Sequence, residues 1–277
     1  MAQIINTNLM ALNAQRNLSA TQNALATSVQ RLSSGLRVNS AKDDAAGLAI
    51  AERMNTQIRG MNVAIRNAND GISLAQTAEA SLGQIGEMAQ RMRELAVQSA
   101  NATNTAEDRA NLDAEYQQLA QEITRTIAST TFNGLNILAG DAGAMAFQVG
   151  AGSDDTVNAI NITTTDLSAN AAVTAVTSGD ITSAANATTA MDNIDTLIDL
   201  VTTERATYGA AQNRFESVIS NLQVAVESQT AARSRIMDAD FAAETAAMTR
   251  AQVLQQAGTA MLAQANQANQ GVLQLLR

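Results

Sequence analysis

Three short clusters of charged residues contain the side chains that could take part in catalysis or metal binding. Lys42, the single lysine of the chain, stands beside Asp43 and Asp44, where its amine could act as a nucleophile. The aspartates at 154–155 and within 238–240 could bind calcium through carboxylate oxygens. Neither aspartate cluster has the glycine and glutamate spacing of an EF-hand loop. The ordinary role of a lysine such as Lys42 is an exposed salt bridge at a helix start. We therefore expect turn, capping and salt-bridge roles for all three clusters.

The composition lacks the side chains that most enzymes use. The 277 residues contain no histidine, which is the commonest general base and metal ligand, and no cysteine to supply a thiolate or a disulfide. The chain also has no HExxH, GxSxG or P-loop pattern. We expect a protein that is not an enzyme and that uses no cofactor or metal.

Arg91, Leu95 and Gln98 form a group of side chains that is suited to binding. Their spacing of i, i+4 and i+7 places them on one face of a predicted helix. The periodicity alone is typical of an ordinary solvated or helix-packing face. A recognition site is the alternative, and the spacing does not decide between the two.

Long helices must position these residues, and the two ends of the chain have the clearest helical pattern. Residues 1–15 and 251–276 carry no charged side chain. The apolar and small residues at both ends follow the alternating three- and four-residue spacing of a coiled-coil seam. Toward the C-terminus this stripe consists of Ala251, Leu254, Gly258, Met261, Ala265, Ala268, Val272 and Leu275. Toward the N-terminus it consists of Leu18, Gln22, Leu25, Val29, Leu32 and Leu36.

The two stripes predict that the ends of the chain pack together and also contact other copies of the chain. Residues 251–276 include ten glutamine, asparagine and threonine side chains, which excludes a comfortable membrane span. An isolated helix of this kind is marginal in water, so we expect partners on more than one side. Coiled-coil packing within one molecule is the simpler alternative. The residues that we expect to be buried by polymerisation are Ile4, Leu9, Leu18, Leu25, Met261, Val272 and Leu275.

Local signals predict two further helices in the first half of the chain. Ser40 followed by Asp43 predicts a helix start, and the apolar spacing then continues to residue 100. Thr105 followed by Asp108 predicts a second start, for a helix that ends near residue 129.

The middle of the chain has a different character. Asn-Gly within residues 132–135 predicts a tight turn, and short alternating runs at 146–149 and 157–163 predict strands. Between residues 163 and 189, 11 of 27 side chains are serine or threonine and no period is evident, which predicts an exposed, variable loop. A regular apolar stripe over 191–226 predicts another long helix, followed by a joint at 229–240 and a terminal helix from about residue 241.

These elements predict a mainly α fold. Long coiled-coil helices from both termini pack together in an elongated, hairpin-like subunit that has a small β-hairpin region in its middle. We expect a terminal coiled-coil domain of residues 1–42 plus 236–277 and an outer helical domain of residues 43–165 plus 190–235. Residues 166–189 form the variable Ser/Thr-rich loop region between the two halves of the outer domain.

The charge distribution disfavours nucleic acid as a partner. The net charge is −9, and residues 67–191 hold 14 acidic side chains against four arginines, so no basic surface is expected there. The first residues, MAQIINTNLM, lack the basic region and the continuous apolar region of a secretory signal peptide.

Five segments of the sequence resemble the bacterial flagellins. They are Met1–Leu12 (MAQIINTNLMAL), Arg31–Ala51 (RLSSGLRVNSAKDDAAGLAIA), Gln90–Ala100 (QRMRELAVQSA), Thr131–Leu138 (TFNGLNIL) and Ala251–Arg277 (AQVLQQAGTAMLAQANQANQGVLQLLR). The resemblance covers about residues 1–150 and 190–277. The chain differs from many relatives at Asn269, where they have proline, and its middle is very short, which implies that the outer domains of larger flagellins are absent.

The resemblance implies a structural subunit that polymerises into the extracellular flagellar filament for motility. In that family the subunit leaves the cell largely unfolded through the flagellar export apparatus, with an export chaperone and without a cleaved signal peptide. The implied partners are many copies of the same chain, the filament cap and hook-junction proteins, and a flagellin-sensing Toll-like receptor of the host. Five positions match those through which that receptor binds many flagellins: Gln90, Arg91, Leu95, Gln98 and Glu115.

Two other functions remain compatible with the pattern. A minor filament or hook-filament junction protein has the same construction at low copy number. A coiled-coil signalling module, such as a chemoreceptor cytoplasmic hairpin, has charged and self-sufficient seams, and the uncharged termini argue against it.

Overall fold

The computed structural model describes residues 7–141 and 143–274, with only the backbone described for residue 155 and residues 268–274. These described residues form seven helices and four short strands. The helices are α1 (Leu9–Ser34), α2 (Ala45–Ala100), α3 (Ala106–Ser129), α4 (Asp155–Asn158), α5 (Ala171–Thr177), α6 (Ala184–Met237) and α7 (Phe241–Gln274). The strands are β1 (Thr131–Phe132), β2 (Leu135–Asn136), β3 (Ala144–Gln148) and β4 (Ala159–Thr163). The prediction of a mainly α fold with a small β region is confirmed.

The chain divides into two compact units. The terminal unit consists of Met1–Thr56 and Ser228–Arg277, and the central unit consists of Gln57–Glu227. The division falls inside α2 and inside α6, so the terminal unit takes in more of these helices than the domain of residues 1–42 plus 236–277 that we expect from the sequence.

The two helices of the terminal unit that come from the ends of the chain, α1 and α7, pack antiparallel to each other. The Asn8 amide donates to the carbonyl oxygen of Ala265 at 3.0 Å, near the start of α1. At the other end of α1, the Arg31 guanidinium lies 3.4 Å from the Glu244 carboxylate. The same Asn8 side chain caps α1 by accepting from the backbone N–H of Ala11 at 3.0 Å.

The seam between α1 and α7 differs from both predicted stripes at every second position. In α1 the buried or half-buried positions include Leu18, Thr21, Leu25, Ser28 and Leu32, while Gln22 and Val29 of the predicted stripe are exposed. In α7 they include Ala251, Gln255, Gly258, Leu262 and Ala265, while Leu254 and Met261 of the predicted stripe are exposed. Both sets follow the heptad spacing, and the small residues allow a close approach. A Cβ built on Gly258 would lie 3.3 Å from the Leu18 Cδ1 atom.

In the terminal unit, the segment that follows α1 contacts the segment that precedes α7 in a compact joint. The chain leaves α1 through Gly35, whose φ of 71° favours glycine. The backbone N–H of Arg37 then donates to the carbonyl oxygen of Met237 at 2.7 Å, and the N–H of Ala239 donates to that of Gly35 at 2.9 Å. Val38 and Met237 are buried here. The joint predicted at 229–240 is too long. Residues 229–237 contain no glycine or proline to end a helix, and α6 continues to Met237.

The start of α2 lies slightly later than predicted. Ser40 and Asp43 form a turn in which the Asp43 carboxylate accepts from the Ser40 N–H at 2.9 Å and from its hydroxyl at 3.0 Å. These hydrogen bonds lower the pKa of Asp43, the one from the hydroxyl most of all. The helix begins at Ala45, and Asp44 caps it by accepting from the N–H of Gly47 at 2.7 Å.

The central unit has a continuous apolar core between α2, α3 and α6. Its largest fully buried side chains include Tyr116, Tyr208 and Phe215. The Phe147 and Phe215 rings meet edge to face with centroids 5.6 Å apart. The predicted capping box of α3 is present, since Thr105 and Asp108 each accept from the backbone of the other.

The small β region consists of two antiparallel pairs. Asn133 and Gly134 take positive φ values of 51° and 83° in the predicted turn between β1 and β2. Strands β3 and β4 pair with Ala144 opposite Thr163 and Gln148 opposite Ala159. The second predicted strand, 157–163, begins two residues later because residues 155–158 form the helical turn α4.

The Ser/Thr-rich segment is more ordered than its composition suggests. Residues 166–189 include all of α5 and the first residues of α6, so the description as a loop is wrong for this part of the chain. Leu167, Val173, Val176 and Ile181 are buried in the core of the central unit. Tertiary packing supplies the order that the sequence period does not indicate.

Candidate assembly surface

An apolar groove runs along one side of the α1 and α7 pair in the terminal unit. Its volume is about 460 Å³. No charged side chain lines it, and the lining residues are Met10, Asn13, Ala14, Asn17, Leu18, Thr21, Leu254, Ala257, Gly258, Met261, Gln264 and Ala265. The groove includes Gly258 and Leu18, where a Cβ built on the glycine would lie only 3.3 Å from the Leu18 Cδ1 atom.

Large apolar side chains border the groove and remain in contact with solvent. Met10 is 71% exposed, Leu254 is 49% exposed and Met261 is 63% exposed. Isolated exposed apolar residues are common on protein surfaces, but a contiguous patch of them on an uncharged background is typical of a contact surface. The groove therefore has the composition of a surface that another apolar surface covers.

The charged side chains of the terminal pair do not line the groove, although Arg16 stands in α1 between the lining residues Ala14 and Asn17. In α7 the segment from 251 to 274 carries no charge. The ion pair of Arg31 and Glu244 joins the opposite ends of the two helices, and the Glu244 side chain is largely buried. A charge pair at one position of an otherwise uncharged seam favours a single register between the helices.

The seven residues expected to be buried by polymerisation have different positions. Met261 borders the groove, and Leu9 is exposed at 64% next to Met10. Leu18 and Leu25 are half-buried on the side of α1 that faces α7. Ile4, Leu275 and the side chain of Val272 lie outside the described residues.

Met10 and Leu254 belong to the groove and are absent from the residues expected from the sequence to mediate polymerisation. The sequence does indicate both residues, because each is a large apolar residue in a segment that carries no charge. The heptad spacing predicts Leu254 in the seam between the terminal helices, whereas the structure leaves it exposed beside that seam.

A second surface, on the central unit, contains the arginine that sequence analysis singles out. Both Nε and Nη2 of Arg91 donate to the Glu115 carboxylate, at 3.0 and 2.8 Å, and Nη1 donates to Glu94 at 2.9 Å. The hydrogen bond to Glu94, then the bonds and charge of Glu115, raise the pKa of Arg91. The two carboxylates hold the guanidinium in one orientation on the surface.

The other members of this predicted surface do not all face solvent. Gln90 and Gln98 are exposed and line a shallow groove together with neighbouring residues. Leu95 is only 1% exposed and belongs to the core of the central unit. Leu95 therefore packs inward, as in a helix-packing face, while Arg91 and Gln98 of the same predicted group stay exposed.

The acidic clusters are used for local structure. The Asp154 carboxylate accepts from the N–H of Thr156 at 3.0 Å, and that of Asp240 accepts from the N–H of Ala242 at 2.9 Å at the start of α7. Over residues 7–141 and 143–274, no three acidic side chains come together in a way that could hold a metal ion. No helix in the same ranges has the length and apolarity to cross a membrane.

Two terminal helices that pack together and leave an apolar groove lined by no charged side chain are typical of a self-associating structural protein. Comparison with protein families identifies which one. Residues 5–142 match the bacterial flagellin N-terminal helical region, and residues 191–276 match the bacterial flagellin C-terminal helical region. The chain belongs to the bacterial flagellin family.

Individual relatives agree with the family assignment along the whole chain. The chain is 50% identical to a flagellin of Halalkalibacterium halodurans over 99% of this chain and 100% of that one. It is 43% identical to the flagellar filament 33 kDa core protein of Treponema phagedenis over the same shares. The crystal structure of Bacillus cereus flagellin, 34% identical, matches 57% of this chain and 88% of its own with a TM-score of 0.50. The chain is thus a structural subunit of the flagellar filament, which lies outside the cell.

Proposed function

We propose that the subunit polymerises by covering the groove between α1 and α7 with a second copy of the chain. The observation that carries this proposal is the exposure of Met10, Leu254 and Met261 along a groove that no charged side chain lines. Burial of one such side chain contributes roughly 1.5–3 kcal/mol, so three of them supply a substantial part of the free energy of a contact.

The uncharged helix faces also favour a second copy as the occupant. Glutamine and asparagine side chains can pair with the same amides on another copy without the cost of burying a charge. Gln264, Asn13 and Asn17 line the groove and offer both donors and acceptors. A partner with a strongly charged surface would leave its charges unpaired there.

Two exposed alanines of α7 provide a matched test. Ala257 lines the groove, whereas Ala263 is exposed and does not line it. Glutamate has good helix propensity, so Ala257→Glu and Ala263→Glu add the same charge at a similar cost to the helix. In growth from sheared filament seeds, we expect Ala257→Glu to abolish elongation and Ala263→Glu to retain most of it. Equal growth of the two variants, or equal loss, would contradict the assignment of the groove.

We also propose the route and partners that the family resemblance implies. The subunit is exported largely unfolded by the flagellar export apparatus, is escorted by an export chaperone, and meets the cap and hook-junction proteins at the two filament ends. Export does not require a cleaved signal peptide. The small buried core of the terminal unit supports this route, because few apolar contacts must be broken to keep the ends of the chain extended.

A minor filament or junction protein is the remaining alternative for the role of the subunit. The abundance of the chain in purified filaments separates the two roles. We expect quantitative mass spectrometry to find it as a bulk component along the filament, and restriction to the hook-proximal end would favour the alternative.

We propose, on the same resemblance, that the host Toll-like receptor binds the surface formed by Gln90, Arg91, Gln98 and Glu115. The fixed orientation of Arg91 supports this, because a preorganised guanidinium loses little freedom on binding. Leu95 contributes only by packing beneath that surface.

Reporter-cell activation by purified monomer tests the receptor proposal. We expect Arg91→Ala to weaken activation by roughly thirtyfold or more, the equivalent of about 2 kcal/mol at an arginine hot spot. Arg125→Ala is the matched control, because Arg125 forms a similar surface ion pair, with Glu122, elsewhere on the central unit. Full activation by Arg91→Ala would contradict the proposal.

A further inference from the structure

We propose that Met10 and Met261 form a methionine oxidation site that stops the terminal unit from associating with a second copy. Met10 belongs to α1 and Met261 to α7, and the two side chains line the same groove. This inference rests on the proposed function, because oxidation can block assembly only if the groove is a contact surface.

The two methionines differ from the others that the structure describes. Among the described residues they alone are exposed methionines. Met61, Met92 and Met237 are buried. Half-buried positions are occupied by Met54, Met88, Met145, Met191 and Met248. Because oxidation follows access to the sulfur, an oxidant in solution reaches the groove pair before the other methionines that the structure describes.

The reaction needs a peroxide as co-substrate and no catalytic group of the protein. A lone pair of the thioether sulfur attacks one oxygen of hydrogen peroxide, the O–O bond breaks, and proton transfer releases water. The sulfur is oxidised to the sulfoxide, and the peroxide is reduced. The absence of cysteine matters here, because no thiol of the chain consumes the oxidant in competition.

The change acts on the assembled state and leaves the fold of the subunit intact. Both methionine side chains are in contact with water in the free chain, so the polar sulfoxides form there without disturbing the α1 and α7 seam. Covering the groove strips that water from the sulfoxide oxygens, and a hydrogen bond from Asn13, Asn17 or Gln264 in its place would take that amide from its pairing with the second copy. We expect the critical concentration for growth to rise on the order of tenfold for each oxidised side chain.

The test compares the unmodified chain with a Met10→Leu, Met261→Leu double variant, which keeps apolar bulk and lacks the two sulfurs. Each monomer is treated with hydrogen peroxide, freed of oxidant and added to untreated filament seeds. The unmodified chain is expected to lose elongation, and the double variant to keep it. Methionine sulfoxide reductases for both epimers should restore growth of the treated unmodified chain.

Partly oxidised unmodified chain supplies a second readout that does not depend on the variant. After seeded growth, mass spectrometry should find sulfoxide at Met10 and Met261 enriched in the unassembled fraction over the filament fraction. Equal sulfoxide content in both fractions, or equal peroxide sensitivity of the double variant, would overturn the inference. Failure of the untreated chain to elongate would instead remove the proposed function, and the inference with it.

Discussion

The two tyrosines of the central unit show how burial controls the chemistry of single side chains. The Tyr116 hydroxyl donates to the carbonyl oxygen of Val176 at 3.1 Å, and its ring is fully buried. Burial, together with the negative charges of Asp113 and Asp180, raises the pKa of Tyr116 to about 12. Burial and the charge of Glu204 also raise the pKa of Tyr208. Both phenols are therefore held in the neutral form by the folded chain.

The raised pKa values of Tyr116 and Tyr208 predict that the folded chain loses stability in alkaline solution. The folded pKa of each tyrosine lies above the unfolded value of about 10, so each stability contribution is complete below pH 10 and is lost as pH rises through the folded pKa, which is about 12 for Tyr116. We expect the free energy of unfolding to fall above pH 10, with tyrosinate absorbance appearing together with unfolding. Tyr116→Phe should make the decline shallower. Tyrosinate formed at pH 10 in the folded chain would contradict the burial of these residues.

At the scale of the elements, close approach between helices depends on single glycines in α2. A Cβ on Gly71 would lie 2.6 Å from the Phe215 Cζ atom and 2.9 Å from its Cε2 atom. Phe215 is fully buried and held against the Phe147 ring, so it has little room to move. Gly83 of the same helix has no atom within 4 Å of the corresponding position.

These two glycines predict opposite effects of the same substitution. We expect Gly71→Ala to lower the free energy of unfolding of the central unit by about 1–2 kcal/mol, because overpacking outweighs the gain in helix propensity. Gly83→Ala should raise it by about 0.5–1 kcal/mol, since only the propensity term acts. Denaturant unfolding followed by circular dichroism measures both, and a stabilising Gly71→Ala would show that Phe215 adapts freely.

The elements that sequence analysis predicts well are those with a local cause. The capping box of Thr105 and Asp108 and the turn at Asn133 and Gly134 each depend on neighbouring residues alone. Helix α5 was missed because its order comes from packing: Val176 is buried and its carbonyl accepts from Tyr116, 60 positions away in the chain. No local period contains that information.

The seam between α1 and α7 could be predicted only in part, because two heptad patterns overlap in each terminal helix. In α7 the two patterns share Ala251, Gly258 and Ala265. The large apolar residues Leu254 and Met261 belong to one of these patterns, which is therefore the one the sequence favours, but the structure uses the other. The seam instead takes Gln255 and Leu262, and the large apolar residues stay outside it. The sequence therefore predicts that α1 and α7 pair, but the division between the seam and the exposed face of each helix needed the structure.

At the scale of the whole molecule, the two units differ greatly in the apolar core that each contains. Among the described residues, the core of the terminal unit consists mainly of Val38, Ala51 and Met237 with partly buried neighbours, whereas the central unit has an extended cluster from Ala68 to Phe215. Local stability follows buried apolar contacts, so helices α1 and α7 should open far more readily than the core of the central unit.

Limited proteolysis of dilute monomer tests this difference. We expect trypsin to cleave first after Arg16, Arg31 and Arg250 in the terminal helices, and to leave a core close to residues 57–227. Arginines of the central unit such as Arg109 should be cleaved much later. Cleavage of both units at the same rate in monomer would contradict the difference in stability.

The central claim, that assembly covers the groove between α1 and α7, can be measured directly with a unique thiol. The chain has no cysteine, so Met261→Cys places one reactive group in the groove and Ala263→Cys places one beside it on the same helix. Both thiols should react rapidly with a maleimide in the monomer, because both positions are exposed. In seeded filaments that contain each variant, we predict that the Met261→Cys thiol becomes protected far more strongly than the Ala263→Cys thiol. A Met261→Cys thiol that reacts in the filament as fast as in the monomer would show that the groove stays open and would contradict the account.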